Sequence, residues 1–264
     1  KLFIVKIKKY KLVKLVELNF MKIIFIKRLI PSLKRRLRVL FGRRLFLTKI
    51  QDSFFYLDIQ DKLHRSFYYS KKYEEGNFRY IKNHPFFKKD FIFIDVGANI
   101  GIYSIFISKF FKNCTETYSF EPIPKTYNLL KKNISKNNLH KINLFNIALS
   151  DEVKVVTMSS EFRNSINQSA VYSIKDFGDI KINSNKLDNM LELNHKNIYI
   201  KCDTEGHDLN VLKGMKKHLI ENICFIQVEN NNNSKLLGSY LEQFNFKLIN
   251  INDRDYFFTN FNYT

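Results

Sequence analysis

The residues best suited to chemistry stand where apolar segments of the chain end. Residues 91–94 form an unbroken apolar run that stops at Asp95, and Gly97 and Gly101 follow before a second apolar stretch, residues 102–111. A short apolar run of this kind predicts a strand buried on both faces of a parallel sheet. The two glycines permit a tight turn and a close approach of the backbone to a ligand. We therefore predict a strand, a turn and a helix, which form half of a nucleotide-binding unit.

The spacing in this turn excludes two common nucleotide sites. A dinucleotide fingerprint needs glycine at the third and sixth positions from Gly97, where this chain has Asn99 and Ile102. A phosphate-binding loop needs a Gly-Lys-Ser/Thr sequence, which does not follow here. An NAD-dependent oxidoreductase is therefore disfavoured.

A second carboxylate stands where a nucleotide ribose would need it. Residues 118–121 predict a short strand that ends at Glu121, 20 residues past Gly101, and Pro122 stops it. An acid at this strand tip can accept hydrogen bonds from both ribose hydroxyls, and a solvated loop glutamate is the alternative. Residues 142–147 predict the next strand, so that Asn146 and Ala148 are candidates for contact with the base, although an ordinary strand-to-turn junction would look the same.

A third group of polar residues follows another predicted core strand, residues 198–203. Asp203, Glu205 and His207 precede a predicted helix, residues 209–219. Because ligands of open α/β sheets lie beyond the carboxyl ends of the strands, these side chains are expected around the reacting group. His207 titrates near neutral pH and is the natural general base, and Asp203 or Glu205 would either orient it or bind the substrate. The alternatives are a surface histidine and, for Glu205 and Asp208, stabilisation of a helix N-terminus.

The motifs DVGANIGIYS, FEPIP, ALSD, KLDNML and IKCDTEGHDLNVLKGM together resemble the FkbM family of S-adenosylmethionine-dependent methyltransferases, over about residues 54–264. The chain departs from the family pattern at three positions. Asn99 stands where the family usually has the middle glycine of the turn, Thr204 where it has a small apolar residue, and Asp208 where it has glutamate. The resemblance implies a class I methyltransferase fold, a Rossmann-like, doubly wound α/β architecture with a seven-stranded, mostly parallel sheet. It also implies S-adenosylmethionine as cofactor, with the binding residues Asp95, Gly97, Ala98, Asn99, Gly101, Glu121, Asn146 and Ala148.

The resemblance further implies O-methylation of a hydroxyl on a sugar in a glycan, a glycolipid or a surface polysaccharide precursor. An alcohol loses its proton as it is methylated, so the expected catalytic residues are His207, Asp203 and Glu205. Two alternatives stay open: a protein or nucleic-acid acceptor, and a membrane-associated binding module without turnover. No metal site is predicted, and the three cysteines, Cys114, Cys202 and Cys224, are expected to be free core thiols.

The basic charge of the chain is concentrated at one end. The net charge is +19, and residues 1–49 contribute +15 of it with sixteen basic residues and one acid, Glu17. A nucleic-acid enzyme is expected to carry its basic stripe beside the active site, so the nearly neutral remainder argues against a nucleic-acid partner.

We predict a basic amphipathic N-terminal extension, residues 1–49, and a methyltransferase domain, residues 50–264. Pro31 and Gly42 bound a predicted helix with one apolar face, and residues 22–44 suit the surface of an anionic membrane. A solvated helix docked on the domain is the equal alternative. With no visible signal peptide or span, a cytoplasmic protein is expected, either soluble or peripheral on the inner face of the membrane, with Met21 as a candidate start.

Two further expectations concern the parts of the chain around the core. Residues 152–195 interrupt the alternation of strands and helices, and we predict a substrate-side flap in which residues 153–158 and 180–182 pair as strands. Two closing strands, residues 246–251 and 256–259, predict that one strand of the main sheet runs antiparallel.

Overall fold

The computed structural model describes residues 44–160, 172–175, 180–229 and 234–261. The chain divides into two units, Lys1–Phe46 and Leu47–Thr264. The predicted helix between Pro31 and Gly42 lies outside the described residues, so it stays a prediction, as does the domain boundary. Among the residues that the structure describes, no helix has the length and apolar character needed to cross a membrane.

The described elements include strands, α-helices and short 3-10 turns. The strands are β1 (Leu45–Ile50), β2 (Ser53–Asp58), β3 (Phe91–Val96), β4 (Cys114–Phe120), β5 (Ile142–Phe145), β6 (Ala148–Leu149), β7 (Lys154–Ser160), β8 (Tyr172–Lys175), β9 (Ile180–Asn185), β10 (Asn197–Cys202), β11 (Ile223–Glu229), β12 (Lys247–Asn252) and β13 (Asp255–Thr259). The α-helices are α1 (Lys62–Ser70), α2 (Glu75–Asn83), α3 (Ile102–Phe110), α4 (Pro124–Lys136), α5 (Asp208–Lys213), α6 (Lys216–Glu221) and α7 (Ser234–Glu242). Short 3-10 turns cover Pro85–Lys88 and Leu187–Asn189.

Seven strands form the central sheet in the order β12-β13-β11-β10-β3-β4-β5. Every neighbouring pair is parallel except those that include β13, which runs antiparallel to β11 and β12. The predicted seven-stranded, mostly parallel sheet is therefore confirmed, together with its antiparallel closing strand. The chain leaves β3 toward β4 on one side and returns to β10 on the other, which makes the carboxyl ends of β3 and β10 the switch point where such sheets bind ligands.

The two faces of the sheet have different cores. Ile92 and Ile94 of β3 pack in an aliphatic cluster, whereas Phe91 and Phe93 pack in an aromatic cluster on the opposite face. Successive side chains of a strand point to opposite faces, so the sequence FIFI supplies both cores from one strand. The Phe93 ring stacks on the Tyr199 ring of β10 at a centroid distance of 4.7 Å. Every residue of β3 is buried, as the apolar run predicted.

A second, smaller sheet has the order β6-β9-β7-β8. The predicted pairing is confirmed, since β7 and β9 are antiparallel partners. Val156, Met158 and Ile182 of this sheet pack against Ala148 and Ile123 in a separate apolar cluster. The small sheet thus covers the chain segments that follow β4 and β5. Its role as a substrate-side flap stays a prediction.

The structure corrects two expected elements and confirms the state of the cysteines. The single helix predicted for residues 209–219 is wrong, because α5 ends at Lys213 and α6 begins at Lys216. Gly214 lies at the break against the backbone of Ser150, where a Cβ atom would overlap the Ser150 carbonyl oxygen. The third strand of the sheet ends at Phe145, earlier than predicted. All three cysteines are buried free thiols.

Candidate active site

The turn after β3 is built from residues in the left-handed region. Gly97 has φ +78°, Asn99 +51° and Gly101 +86°. Asparagine tolerates this region better than most side chains, which explains how Asn99 can stand where a glycine is usual. The backbone N–H groups of Gly97 and Ala98 both donate to the carbonyl oxygen of Phe120, at 3.0 Å each. The turn is therefore held against the end of β4.

Gly97 also marks a close approach between the turn and the end of β10. A Cβ atom at Gly97 would overlap the carbonyl oxygen of Asp203, and the Asp203 N–H donates to the Val96 carbonyl at 3.0 Å. Only glycine fits such a contact at positive φ. The turn after β3 and the segment that begins at Asp203 are thereby held close together.

Asp95, the last polar group of β3, lies inside the protein. It is 1% exposed and accepts a 2.5 Å hydrogen bond from Ser104 Oγ of α3. Burial raises the pKa of Asp95 to about 6, against the opposing effect of the Lys201 ammonium. Asp95 thus ties the start of α3 to β3 while it lines the cleft described below.

Glu121 lies directly after β4 and joins two loops. Its Oε2 accepts the Asn99 N–H and its Oε1 accepts the Ile123 N–H, both at 2.9 Å. The side chain is buried, and this burial raises the pKa of Glu121 to about 7. Each carboxylate oxygen keeps a second lone pair, so the group can accept two further hydrogen bonds from a ligand.

These residues surround a cleft of about 340 Å³ at the carboxyl ends of β3 and β10, which we call the cofactor cleft. Its volume is within the range of small-molecule sites. The cleft brings together most of the sequence-predicted site residues: Asp95, Gly97, Ala98, Asn99, Glu121, Ala148, Asp203, Glu205 and His207. Ile123, Ile147, Leu149 and Met158 add an apolar wall next to Ala148.

Two predicted cofactor residues are not among the described residues that line the cleft. Gly101 precedes α3, and a Cβ atom there would press on the Leu130 side chain of α4. Asn146 is exposed, and its amide donates to the carbonyl oxygens of Glu121 (2.8 Å) and Pro122 (2.9 Å). Both therefore support the cleft from outside, and Asn146 stabilises the loop that carries Glu121.

Lys201 is a buried cation that lines the cleft. Its Nζ lies 2.9 Å from Asp203 Oδ2 and 4.7 Å from the centre of the Tyr103 ring. Burial disfavours the ammonium form, but the attraction of Asp203 and Glu74 outweighs it and raises the pKa of Lys201 well above its usual value. The Lys201 ammonium thus counters the negative charge that Asp203 and Asp95 bring to the cleft.

Three carboxylates of the cleft lie close together. Oxygens of Asp203, Glu205 and Glu229 lie within 4.8 Å of one another, and Arg254 Nη1 is 3.0 Å from Glu229 Oε1. Partial burial, followed by repulsion from Asp203 and Glu229, raises the pKa of Glu205 to about 7. Lys201 beside Asp203 and Arg254 beside Glu229 offset part of the negative charge of this group.

His207 lines the cleft, but its hydrogen-bond partner is not one of the predicted acids. Its Nε2 lies 2.9 Å from Ser150 Oγ, in the segment after β6. The ring is half-buried, and burial lowers the pKa of His207, which favours the neutral imidazole. Among the described contacts, the group that orients His207 is Ser150, rather than Asp203 or Glu205.

The departures from the family pattern at Thr204 and Asp208 are partners of each other. Asp208 Oδ1 accepts the Thr204 N–H at 3.1 Å and the Thr204 hydroxyl at 2.8 Å. Asp208 is buried, and burial raises its pKa. The pair closes the turn that presents Glu205 and His207.

Sequence reasoning missed several residues of this site. Tyr73 and Glu74 line the cleft from the loop before α2, and Tyr103 Oη donates to Glu74 Oε2 at 2.6 Å. No local pattern connects that loop to the motifs. Lys201 did carry a signal, because a lysine inside an apolar core strand is rarely buried without a charged partner.

Two features together define the class I methyltransferase fold. The first is the order of the central sheet, in which the antiparallel strand β13 lies beside β11. The second is the cleft between the turn that follows Asp95 and the acid Glu121 at the end of the next strand. Residues 95–257 match the sequence profile described as the methyltransferase FkbM domain. The chain belongs to this family of S-adenosylmethionine-dependent methyltransferases.

The chain is similar to one curated protein and to several solved structures. The hexuronic acid methyltransferase AglP of Haloferax volcanii is 28% identical over 144 residues, which are 54% of this chain and 56% of that protein. This chain thus spans about half the length of that relative. The methyltransferase FkbM of Methylobacillus flagellatus KT is 16% identical with a TM-score of 0.46, over 67% of this chain and 48% of the other. M. jannaschii TYW2, in complex with AdoMet, is 15% identical with a TM-score of 0.40, over 82% and 84%.

Proposed function

We propose that this chain is an S-adenosylmethionine-dependent O-methyltransferase that acts on a hydroxyl of a sugar, in a glycan, a glycolipid or a surface polysaccharide precursor. The observation that carries the proposal is the arrangement of Glu121. Its buried carboxylate is oriented by two backbone N–H groups and opens onto a cleft that Asp95 and Gly97 also line.

The described residues fit this cofactor. Glu121 would accept the two ribose hydroxyls, and Ile123, Ala148 and Met158 would pack against the adenine. Six carboxyl groups and two basic side chains line the described cleft, a balance that favours a positively charged ligand. When bound, S-adenosylmethionine supplies an electrophilic methyl group on a sulfonium. The role of Asn146 would be indirect, through the Glu121 loop.

The chain's own residues would supply alignment and a base. Alignment of the acceptor is the main requirement of a displacement at a methyl carbon. His207, neutral near pH 7, would take the proton of the hydroxyl, and a positioned base of this kind is worth about 10² to 10⁴ in rate. Asp203 and Glu205 would bind other hydroxyls of the sugar, since a carboxylate accepts hydrogen bonds and the carboxyl group of Glu205, with its pKa of about 7, can also donate one when protonated.

Two observations support a sugar acceptor. The curated relative is named as a hexuronic acid methyltransferase. The excess of carboxyl groups over basic side chains among the described lining residues would disfavour the phosphates of a nucleic acid. The alternatives of a protein acceptor and of a binding module without turnover become outcomes of the tests below.

The first experiment is calorimetric binding of S-adenosylmethionine to the full chain and to Glu121→Ala, with the exposed Glu242→Ala as matched control. Micromolar binding corresponds to about −8 kcal/mol. Loss of two hydrogen bonds to a charged group, at about 1.5 kcal/mol each, weakens binding about 100-fold in Glu121→Ala. Absence of binding to the folded wild-type chain, or equal binding by Glu121→Ala, would refute the cofactor assignment.

The second experiment follows labelled methyl groups from S-adenosylmethionine into candidate acceptors. Neutral sugars, uronic acids, a peptide mixture and transfer RNA are offered separately, with Asp203→Asn as the low-activity control. We expect label in a sugar fraction. Label in peptide or RNA would overturn the acceptor class, and binding of the cofactor without transfer to any of these acceptors would favour the module without turnover.

We also propose that residues 22–44 attach the protein to an anionic membrane surface. The support is the concentration of basic residues in the sequence. Deletion of residues 1–49 is expected to abolish sedimentation with anionic vesicles. Unchanged sedimentation would refute it.

A further inference from the structure

The segment after β6 is docked on the helix that begins behind His207. Three contacts join them: His207 Nε2 to Ser150 Oγ at 2.9 Å, Asn210 Nδ2 to Asp151 Oδ1 at 3.0 Å, and the packing of Gly214 on the Ser150 backbone. Positions 207, 210 and 214 follow the spacing of one helical face. The close packing at Gly214 leaves no room for a side chain. The imidazole of His207 is therefore held against Ser150 by contacts before, within and after α5.

The hydrogen bonds in this cluster have a defined direction. Ser150 Oγ is 3.1 Å from Asp151 Oδ1, and an ionised carboxylate can only accept, so Ser150 donates its one proton to Asp151. The Ser150 oxygen must then accept from His207. A neutral imidazole carries one N–H, so a proton on Nε2 leaves the lone pair on Nδ1.

We propose that Ser150 and Asp151 are positioning residues that hold neutral His207 with its proton on Nε2, so that Nδ1 takes the proton of the acceptor hydroxyl. This inference rests on the proposed function. As the hydroxyl O–H bond breaks, its proton goes to Nδ1 and the oxygen lone pair forms the O–C bond, while the electrons of the broken C–S bond stay on sulfur. The resulting imidazolium faces the Asp151 carboxylate across one hydroxyl group.

The location of the two residues favours positioning over direct contact with ligands. His207 is among the described residues that line the cofactor cleft, whereas Ser150 and Asp151 are not. Ser150 is 2% exposed, and its hydroxyl is already engaged on both sides. Their effect on a reaction in the cleft therefore passes through His207.

The first test is the tautomer of His207 in the free protein, read from imidazole nitrogen chemical shifts. The chain has six histidines, so the His207 signals are assigned by their loss in His207→Gln. We expect the Nε2–H form in the wild-type chain. In Asp151→Ala the Ser150 proton is released and can be donated to Nε2, so the ring is expected to change to the Nδ1–H form. An Nδ1–H ring in the wild-type chain, or an unchanged tautomer in Asp151→Ala, would overturn the proposal.

The second test is kinetic and uses a rescue that a merely structural role would not produce. We expect Asp151→Ala to lower kcat about 100-fold, the lower end of the range for a positioned base, with the KM for S-adenosylmethionine unchanged within about twofold. The double variant Ser150→Ala/Asp151→Ala has no hydroxyl to donate to Nε2. It should recover at least about tenfold in kcat over the single variant, while the exposed Asp90→Ala serves as control.

The outcomes separate this inference from the proposed function. A double variant no faster than Asp151→Ala, or a raised KM for the cofactor with kcat intact, would show that the segment acts otherwise than through the tautomer. If the free protein has the expected tautomers but binds no S-adenosylmethionine, the proposed function fails while the positioning of His207 stands.

Discussion

Glu121 provides the sharpest test of how the cofactor cleft is built, through the variant Glu121→Gln. Glu121 is 6% exposed, and the pKa of its carboxyl group, about 7 in the folded protein, compares with 4.5 for the free group. Between these values the folded state binds more protons than the unfolded state, so stability falls as the pH rises. The ionised carboxylate at the cleft thus destabilises the protein without ligand.

The size of this effect follows from the two pKa values. From pH 5 to pH 8, the shift makes the contribution of Glu121 to the free energy of unfolding about 2.5 kcal/mol less favourable. Glutamine does not titrate, so Glu121→Gln lacks this loss. Glutamine also gives up one acceptor for the N–H of Asn99 or Ile123, at about 1 to 3 kcal/mol, but this cost is independent of pH.

Urea unfolding of both chains at pH 5, 6, 7 and 8, without cofactor, measures the difference. From pH 5 to pH 8, the free energy of unfolding of Glu121→Gln should rise by about 2 to 3 kcal/mol relative to that of the wild-type chain. The contribution of Asp95, with its pKa of about 6, is present in both chains and largely cancels. The exposed Glu242→Gln is the control and should run parallel to wild type. A difference that stays constant with pH, or that changes in the opposite direction, would refute the claim that Glu121 is desolvated by the fold.

Three further predictions concern the turn and the buried cation. Gly97→Ala should destabilise the chain by at least about 3 kcal/mol in urea unfolding, because left-handed strain of about 1 to 2 kcal/mol adds to the overlap with Asp203. The control Gly206→Ala, at φ +96° with no atom within 4 Å, should show the strain alone, and equal effects of the two variants would contradict the close approach. The free energy of unfolding of Asn99→Gly should stay within about 1 kcal/mol of the wild-type value, since the hydrogen bond to the Glu121 carboxylate comes from the backbone of residue 99. A larger loss of stability would mean that the Asn99 side chain holds the turn. Lys201→Met should lower the free energy of unfolding by about 3 to 5 kcal/mol at pH 8, and by less at pH 5, where Asp95 becomes protonated. A loss of stability that does not change with pH would argue against Lys201 as the counter-charge.

Local patterns in the sequence determined the parts of the site that lie on one strand and its following turn. The run FIFI specified β3 because its alternating side chains supply both cores, and Asp95, Gly97 and Glu121 were found because strand ends and glycine turns leave short-range signals. The family resemblance of the motifs implied the seven-stranded sheet, and the two consecutive closing strands predicted its antiparallel strand. These features depend on residues close together in the chain, so their spacing is informative.

Only the tertiary structure decided which side chains meet across the cleft. The hydrogen-bond partner of His207 is Ser150, 57 residues away in the chain. Tyr103 of α3 donates to Glu74, which lies in a loop that carries no motif. The close packing of Gly214 on the backbone of Ser150, at the break between α5 and α6, was likewise not visible in the sequence, because Ser150 belongs to a distant segment. Hydrogen bonds and close approaches between distant segments depend on how the sheet and helices pack, and residue spacing along the chain carries no record of that packing.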